Sequence, residues 1–318
     1  VSSSRFFRVT LSLAVAGAVA VAVMNWRINY YGVFGNVHGR ALAPMTNQRI
    51  AKYLYGLNYV PANFDALLTG ASSTNNLDTS VVRGYRMYND SIGGGNVTDI
   101  RLVIENTLNH GRFRLVVFGL QPRLFETHGA SIGPRDFGAA LGSYDLFRDY
   151  GKDLWFRLRG RPNPYDTWGR VNFEELPPWP LIDADAAMNR YLEKYPPDQR
   201  ALTVDEPSYA ELRELIDFAR LHSDRVMAYF PPVYERRYQV MRKEYADFNA
   251  KMSALFRPGE TIIDANDGSL SPLLRDPASF QDGTHLTEKV AAKVSAALAD
   301  SIEAAQPAPI AKTVQNGR

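Results

Sequence analysis

The pattern of apolar and polar residues changes character three times along this chain. From Val9 to Trp26 it reads VTLSLAVAGAVAVAVMNW, eighteen positions without a charge. As a helix, such a run rises about 27 Å, close to the hydrocarbon thickness of a bilayer. Trp26, Tyr30 and Tyr31 follow where an aromatic interface belt belongs. Arg5 and Arg8 before the run, against Arg27 alone just after it, favour residues 1–8 in the cytoplasm and the bulk of the chain outside. A cleaved signal peptide is the alternative, since Ala16-Gly17-Ala18 and Ala18-Val19-Ala20 resemble cleavage sites. The length of the run favours a retained transmembrane helix over 9–26. Ala14, Ala18 and Ala22 recur every four positions and form a narrow stripe with Gly17 beside it. Such a stripe lets another membrane helix approach closely, or reflects only a chain rich in alanine.

Residues 27–60 read as a connector with aromatic and basic residues, and 61–305 as a globular domain. Within the domain, short apolar runs alternate with segments of helical period. Strands are predicted at 64–70, at 84–95 together with a glycine turn, and at 114–122, 224–232 and 260–267. The nearly all-apolar RLVVFGLQP suits a parallel strand covered on both faces. Helices are predicted at 97–111, 209–222 and 238–255, and from Leu286 onward. This alternation argues for an α/β domain with a mostly parallel sheet and helices on both faces. Residues 129–207 differ, with many prolines and aromatics and weak periodicity, and read as a long excursion with short helices. The tail, 306–318, is poor in apolar residues and expected to be mobile.

Composition narrows the chemistry. The 36 basic and 34 acidic residues nearly cancel, leaving no nucleic-acid footprint. The absence of cysteine excludes disulfides, thiolate metal sites and cysteine nucleophiles. His38, His110, His128 and His222 show no metal-ligand spacing, and nothing calls for a cofactor. The basic run Arg157-Leu158-Arg159-Gly160-Arg161 reads as a solvated loop rather than a lipid contact, and Arg123 as a rim residue rather than an anion site.

Two clusters fall where an open α/β sheet places its site, beyond the carboxyl ends of strands. One is Gly70-Ala71-Ser72-Ser73, the other Asp282-Gly283-Thr284-His285. Serine becomes a nucleophile when a base takes its proton, and a histidine held by a carboxylate is the usual base. With Asp at i and His at i+3 on one turn, Asp282 can orient His285 towards Ser72. Each cluster also has a plain reading. Gly and Ser are common after strands and at helix starts; Asp282 is an ordinary turn residue, and Thr284 an ordinary cap for the last helix.

Taken together, the clusters resemble the SGNH/GDSL hydrolase superfamily. Its first block is matched by Gly70-Ala71-Ser72, with Ala where the GDSL form has Asp. Its second, an Asn followed five residues later by Gly, is matched by Asn89 and Gly94, and its last by Asp282 and His285. The third block, Gly-x-Asn in the family, reads Gly119-Leu120-Gln121, which keeps the amide one methylene further out. Among superfamily members, the chain most resembles membrane-anchored proteins that serve polysaccharide or teichoic-acid O-acylation. The resemblance covers about 45–125 and 210–300.

It implies a flavodoxin-like three-layer α/β/α fold and a Ser72–His285–Asp282 esterase or acyltransferase acting on an acylated envelope glycan. The oxyanion donors would be the N–H groups of Ser72 and Gly94 and the Gln121 amide. The setting implied is a bacterial inner membrane, with the domain periplasmic and lipid as the first partner. The other reading is an accessory subunit of a membrane complex, packing other subunits on Ala14, Ala18 and Ala22. A chain that opens on Val1 without methionine adds the expectation of a natively processed subunit, for instance of a photosynthetic or respiratory assembly.

Overall fold

A computed structural model describes residues 3–34, 39, 41–44, 46–176, 183–196 and 201–306. His38 and the tail beyond Gln306 lie outside the described residues. Helix α1 (Ser3–Ile28) is long and apolar enough to cross a membrane, and nearly all its side chains up to Met24 are exposed. No charge falls between Val9 and Trp26, so no ionised side chain in that stretch opposes transfer to lipid.

The domain runs α2 (Gln48–Tyr55), α3 (Tyr59–Asn63), β1 (Ala66–Thr69), α4 (Ser72–Asn75), β2 (Met87–Asn89), α5 (Val97–Asn109) and β3 (Leu115–Gly119). Among the described residues of the excursion, the α-helices are α6 (Pro134–Ala139), α7 (Tyr144–Leu158) and α8 (Ala184–Lys194). The chain then continues through α9 (Glu206–His222), β4 (Val226–Phe230), α10 (Glu235–Val240), α11 (Arg242–Ser253), β5 (Thr261–Asp264), α12 (Ser271–Leu274) and α13 (Glu288–Ala304). The five strands form one parallel sheet in the order β2-β1-β3-β4-β5.

Side chains of successive strand residues point to opposite faces, and the core divides accordingly. Leu67, Val116, Phe118, Ala228 and Phe230 pack with Ile104 of α5, Leu215 of α9 and Tyr55 of α2 on one side. Leu68, Leu115, Val117, Met227 and Tyr229 pack with Met188 of α8 and Val294 and Leu298 of α13 on the other. β3 is buried along its whole length, as a central strand covered on both faces must be. β5 is the half-exposed edge. The opposite edge, β2, is covered where Asn89 N–H donates to the Trp168 carbonyl at 2.7 Å.

Three features depart from the expectations. Residues 48–63, read mostly as connector, fold as α2 and α3, and they bury Ala51, Leu54, Tyr55, Tyr59 and Val60. Their apolar spacing is that of a core-facing helix, which the interspersed Lys52 and tyrosines obscure. The single helix expected over 238–255 is two, broken at Met241, whose backbone leaves the helical region (φ −116°, ψ 31°) while its side chain is fully buried. The last helix starts at Glu288 with Thr287, not Thr284, at its N-cap.

Candidate active site

Because every strand is parallel, all five carboxyl ends open on the same side, and each contributes to one cavity of about 730 Å³. Ser72 and Ser73 come from the turn after β1, Gly93 and Gly94 from that after β2, and Leu120 and Gln121 from that after β3. Pro231 and Val233 follow β4, and Asn266 follows β5. Between β1 and β3 the chain changes direction across the sheet, the switch point where open α/β sheets hold ligands. There the two turns touch, as Ser73 Oγ donates to Gln121 Oε1.

The backbone at Gly70 has to be bare. A Cβ there would lie 2.5 Å from Thr74 Oγ1 and 2.9 Å from the Gly119 carbonyl. This close approach lets α4 begin immediately, with Ser72 as its first residue. Ser73, the neighbouring hydroxyl, is committed to Gln121 and buried, whereas Ser72 is partly exposed in the cavity. Ser72 is therefore the better placed nucleophile of the pair. Asn89 ties this turn to β2, donating to the carbonyls of Thr74 (2.8 Å) and Leu77 (2.9 Å).

Asp282 and His285 form a closed unit, and the segment that carries them is tied to the Ser72 turn where Asn76 Nδ2 donates to the Leu286 carbonyl at 2.9 Å. Asp282 Oδ1 accepts from the N–H groups of Thr284 (3.0 Å) and His285 (2.8 Å), and Oδ2 faces His285 Nδ1 at 2.7 Å. Gly283 between them holds φ +81°, a left-handed conformation that favours glycine and lets the loop fold back within reach. Burial pushes the Asp282 carboxyl up. The hydrogen bond and charge of His285, with the two N–H groups, outweigh this and hold it below the ordinary carboxylate range. A carboxylate on Nδ1 fixes the tautomer with Nε2 as the acceptor, the state of a general base.

Ser72 and His285 line the same cavity, but no hydrogen bond joins Ser72 Oγ to the ring. In empty sites such contacts are commonly long and tighten on substrate binding. In the turn after β2, the N–H of Gly93, the neighbour of the expected donor Gly94, is spent on Gln48 Oε1 at 2.7 Å. Gly94, which also lines the cavity, makes no N–H bond among the described residues, and its carbonyl accepts from Arg49. With the Gln121 oxygen occupied by Ser73, its Nε2 is the end left to serve a ligand.

The excursion supplies the rest of the walls. Tyr165, Val171, Phe173, Tyr191 and Tyr195 line the cavity, and the Phe173 ring packs edge-on against His285 with centroids 5.0 Å apart. Arg237, Asn249 and Asn266 give the far end polar groups. Reading the sequence missed these residues because they are dispersed through Pro-rich or ordinary helical segments without a motif.

It also missed Lys52. This residue of α2 is fully buried, and its Nζ donates to the carbonyls of Ser91 (2.6 Å), Asn89 (2.7 Å) and Gly169 (3.0 Å). Burial pushes its ammonium down, opposed by the charges of Asp90 and Asp166, while burial pushes the fully buried Asp90 up. Three carbonyl acceptors require three N–H donors, which only the ammonium has. Lys52 thereby staples the excursion to the turn that carries Gly94.

Arg123 pairs with Glu126 at 2.6 Å on the cavity rim. His110 and His222 meet backbone carbonyls of their own helices, and His128 meets Ser208. No cluster of metal-ligating side chains occurs among the described residues. Compared with known proteins, the chain matches no protein-family model and no curated sequence.

Proposed function

We propose that the domain is an SGNH-type serine O-acyl esterase or acyltransferase, anchored by α1 and acting outside a bacterial inner membrane on an acylated glycan. One observation carries this reading. A carboxylate-oriented histidine and an uncommitted serine line one cavity at the switch point of the sheet. In the reaction, Ser72 Oγ attacks the ester carbonyl carbon as His285 Nε2 takes its proton. The oxyanion is held by the N–H groups of Ser72 and Gly94 and by Gln121 Nε2. His285 then protonates the leaving alkoxide, which departs as the alcohol and leaves the acyl group on Ser72. Water, or a second sugar hydroxyl, reverses these steps to release it.

The cavity far exceeds the needs of a small acyl group. Tyr191, Tyr195 and Tyr245 with Arg237, Asn249 and Asn266 suit a sugar acceptor, whose rings stack on aromatics and whose hydroxyls need planar polar partners. The test is labelling of the full-length chain by a fluorophosphonate, with hydrolysis of p-nitrophenyl acetate measured in parallel. Wild type should label and turn over, while Ser72→Ala and His285→Ala should do neither. Equal background rates in all three would sink the catalytic reading in favour of an accessory subunit.

A further inference from the structure

Helix α7 wears its apolar side outwards. Its inner face carries Leu146, Asp153 and Phe156. At helical spacing on the opposite face stand Tyr144, Phe147, Leu154, Trp155 and Leu158, which are 81%, 36%, 58%, 48% and 78% exposed. This inverts the ordinary arrangement of a helix on a water-soluble domain.

Its position says what covers it. Tyr150 Oη donates to Asn25 Oδ1 at 2.8 Å, and Asn25 Nδ2 donates to the Leu141 carbonyl. The Tyr30 and Tyr150 rings meet edge-on at 5.1 Å, and Gly142 lies against Val21 and Asn25. The turn that starts α7 thus sits level with Val21–Asn25, inside the uncharged stretch that ends at Trp26. About 7 Å of helix separates Val21 from Trp26, a depth typical of helices lying in the headgroup boundary. Five basic side chains (Arg148, Lys152, Arg157, Arg159 and Arg161) against three acidic ones occupy 144–161. The Arg159 guanidinium lies 4.6 Å over the Trp155 ring, so one cation–aromatic pair sits at the edge of the stripe.

We infer that α7 is an interfacial helix whose Tyr144–Leu158 stripe is buried beside α1 in the leaflet on the domain's side, with its arginines on anionic lipid headgroups. The basic run that reads as a solvated loop is then a lipid contact. The inference rests on α1 crossing the membrane, and on nothing about catalysis.

The chain has no cysteine, so one introduced thiol gives a unique label. Full-length Leu158→Cys, Tyr144→Cys, Val15→Cys and Leu221→Cys, each carrying an environment-sensitive fluorophore, would be reconstituted into phosphatidylcholine–phosphatidylglycerol vesicles. The labels at 158 and 144 should lose emission to brominated lipid, most with bromine near the headgroups. The label at 15 should lose emission to deep bromine. The label at 221, on an exposed position of α9, should respond only to aqueous iodide. If 15 is lipid-quenched while 158 and 144 behave like 221, the inference fails with the span intact. Labels at 158 and 144 shielded from both quenchers would mean a protein covers α7, which also overturns it. A label at 15 open to iodide would overturn the span and the inference together.

Discussion

Replacing Lys52 by methionine keeps an unbranched stem of similar bulk but ends one atom short, so the ammonium is lost with its charge and donors. Three buried carbonyls, those of Asn89, Ser91 and Gly169, then lose the donor that binds each at 2.6–3.0 Å. An acceptor orphaned in this way costs about 1–3 kcal/mol. Asp90, fully buried with Oδ1 unpartnered among the described residues, loses its compensating positive charge. Relaxation offsets part of this, and the net loss should be about 3–5 kcal/mol, the range for leaving a buried charge uncompensated. Against a typical total of about 5–15 kcal/mol, that is a large share. For a domain of this size it lowers the melting midpoint by roughly 10 °C. Circular dichroism melts of the full-length chain in detergent measure it. Lys52→Met/Asp90→Asn, which removes the stranded charge as well, should recover about 1 kcal/mol or more. If Lys52→Met melted within about 1 kcal/mol of wild type, the stapling role would be refuted.

Gln121→Ala should lower kcat for ester hydrolysis by about 10²–10³-fold if its amide holds the oxyanion. Ser73→Ala should lower it in the same direction but less, with KM little changed. Asp282→Asn leaves the loop geometry in place but reverses the hydrogen-bond preference at Nδ1, and should lower kcat by about 10⁴-fold. Glu288, at the start of α13, is pushed up to about 7 by burial, despite the Arg170 guanidinium 3.2 Å away. A carboxyl raised in the folded state binds more protons there than in the unfolded chain. Its stabilising contribution is therefore present at low pH and lost as pH rises from about 4.5 to about 7. Glu288→Gln should flatten the fall in melting temperature across that window, and an unchanged profile would refute the assignment.

Much of the fold was legible because it follows from local rules. The β3 run is apolar at every position because both faces of a central parallel strand are covered, and its boundaries fall within the expected segment. The five strands and the helices between them follow from the same alternation. α1 needs no partner to be recognised, since eighteen uncharged residues make it long and apolar enough to cross a membrane. The Asp282–His285 contact was equally local, being a matter of spacing on one turn closed by a glycine.

What the sequence could not show depends on contacts between distant segments. Lys52 in QRIAKYLY reads as a surface lysine. It is buried because carbonyls 37, 39 and 117 residues away converge on it. The Pro-rich excursion has no periodicity to announce that it walls the cavity. α7 escapes pattern reading for the opposite reason, because its stripe is regular but points away from the core. The sequence alone determined the strands, an N-terminal helix long and apolar enough to cross a membrane, and the local geometry of the histidine loop. The tertiary structure alone decided that five strand ends share a cavity, that Ser73 rather than Ser72 is tied to Gln121, and which face of α7 is left exposed. Local hydrophobic period sets an element's type, but its neighbours across the fold set what each side chain meets.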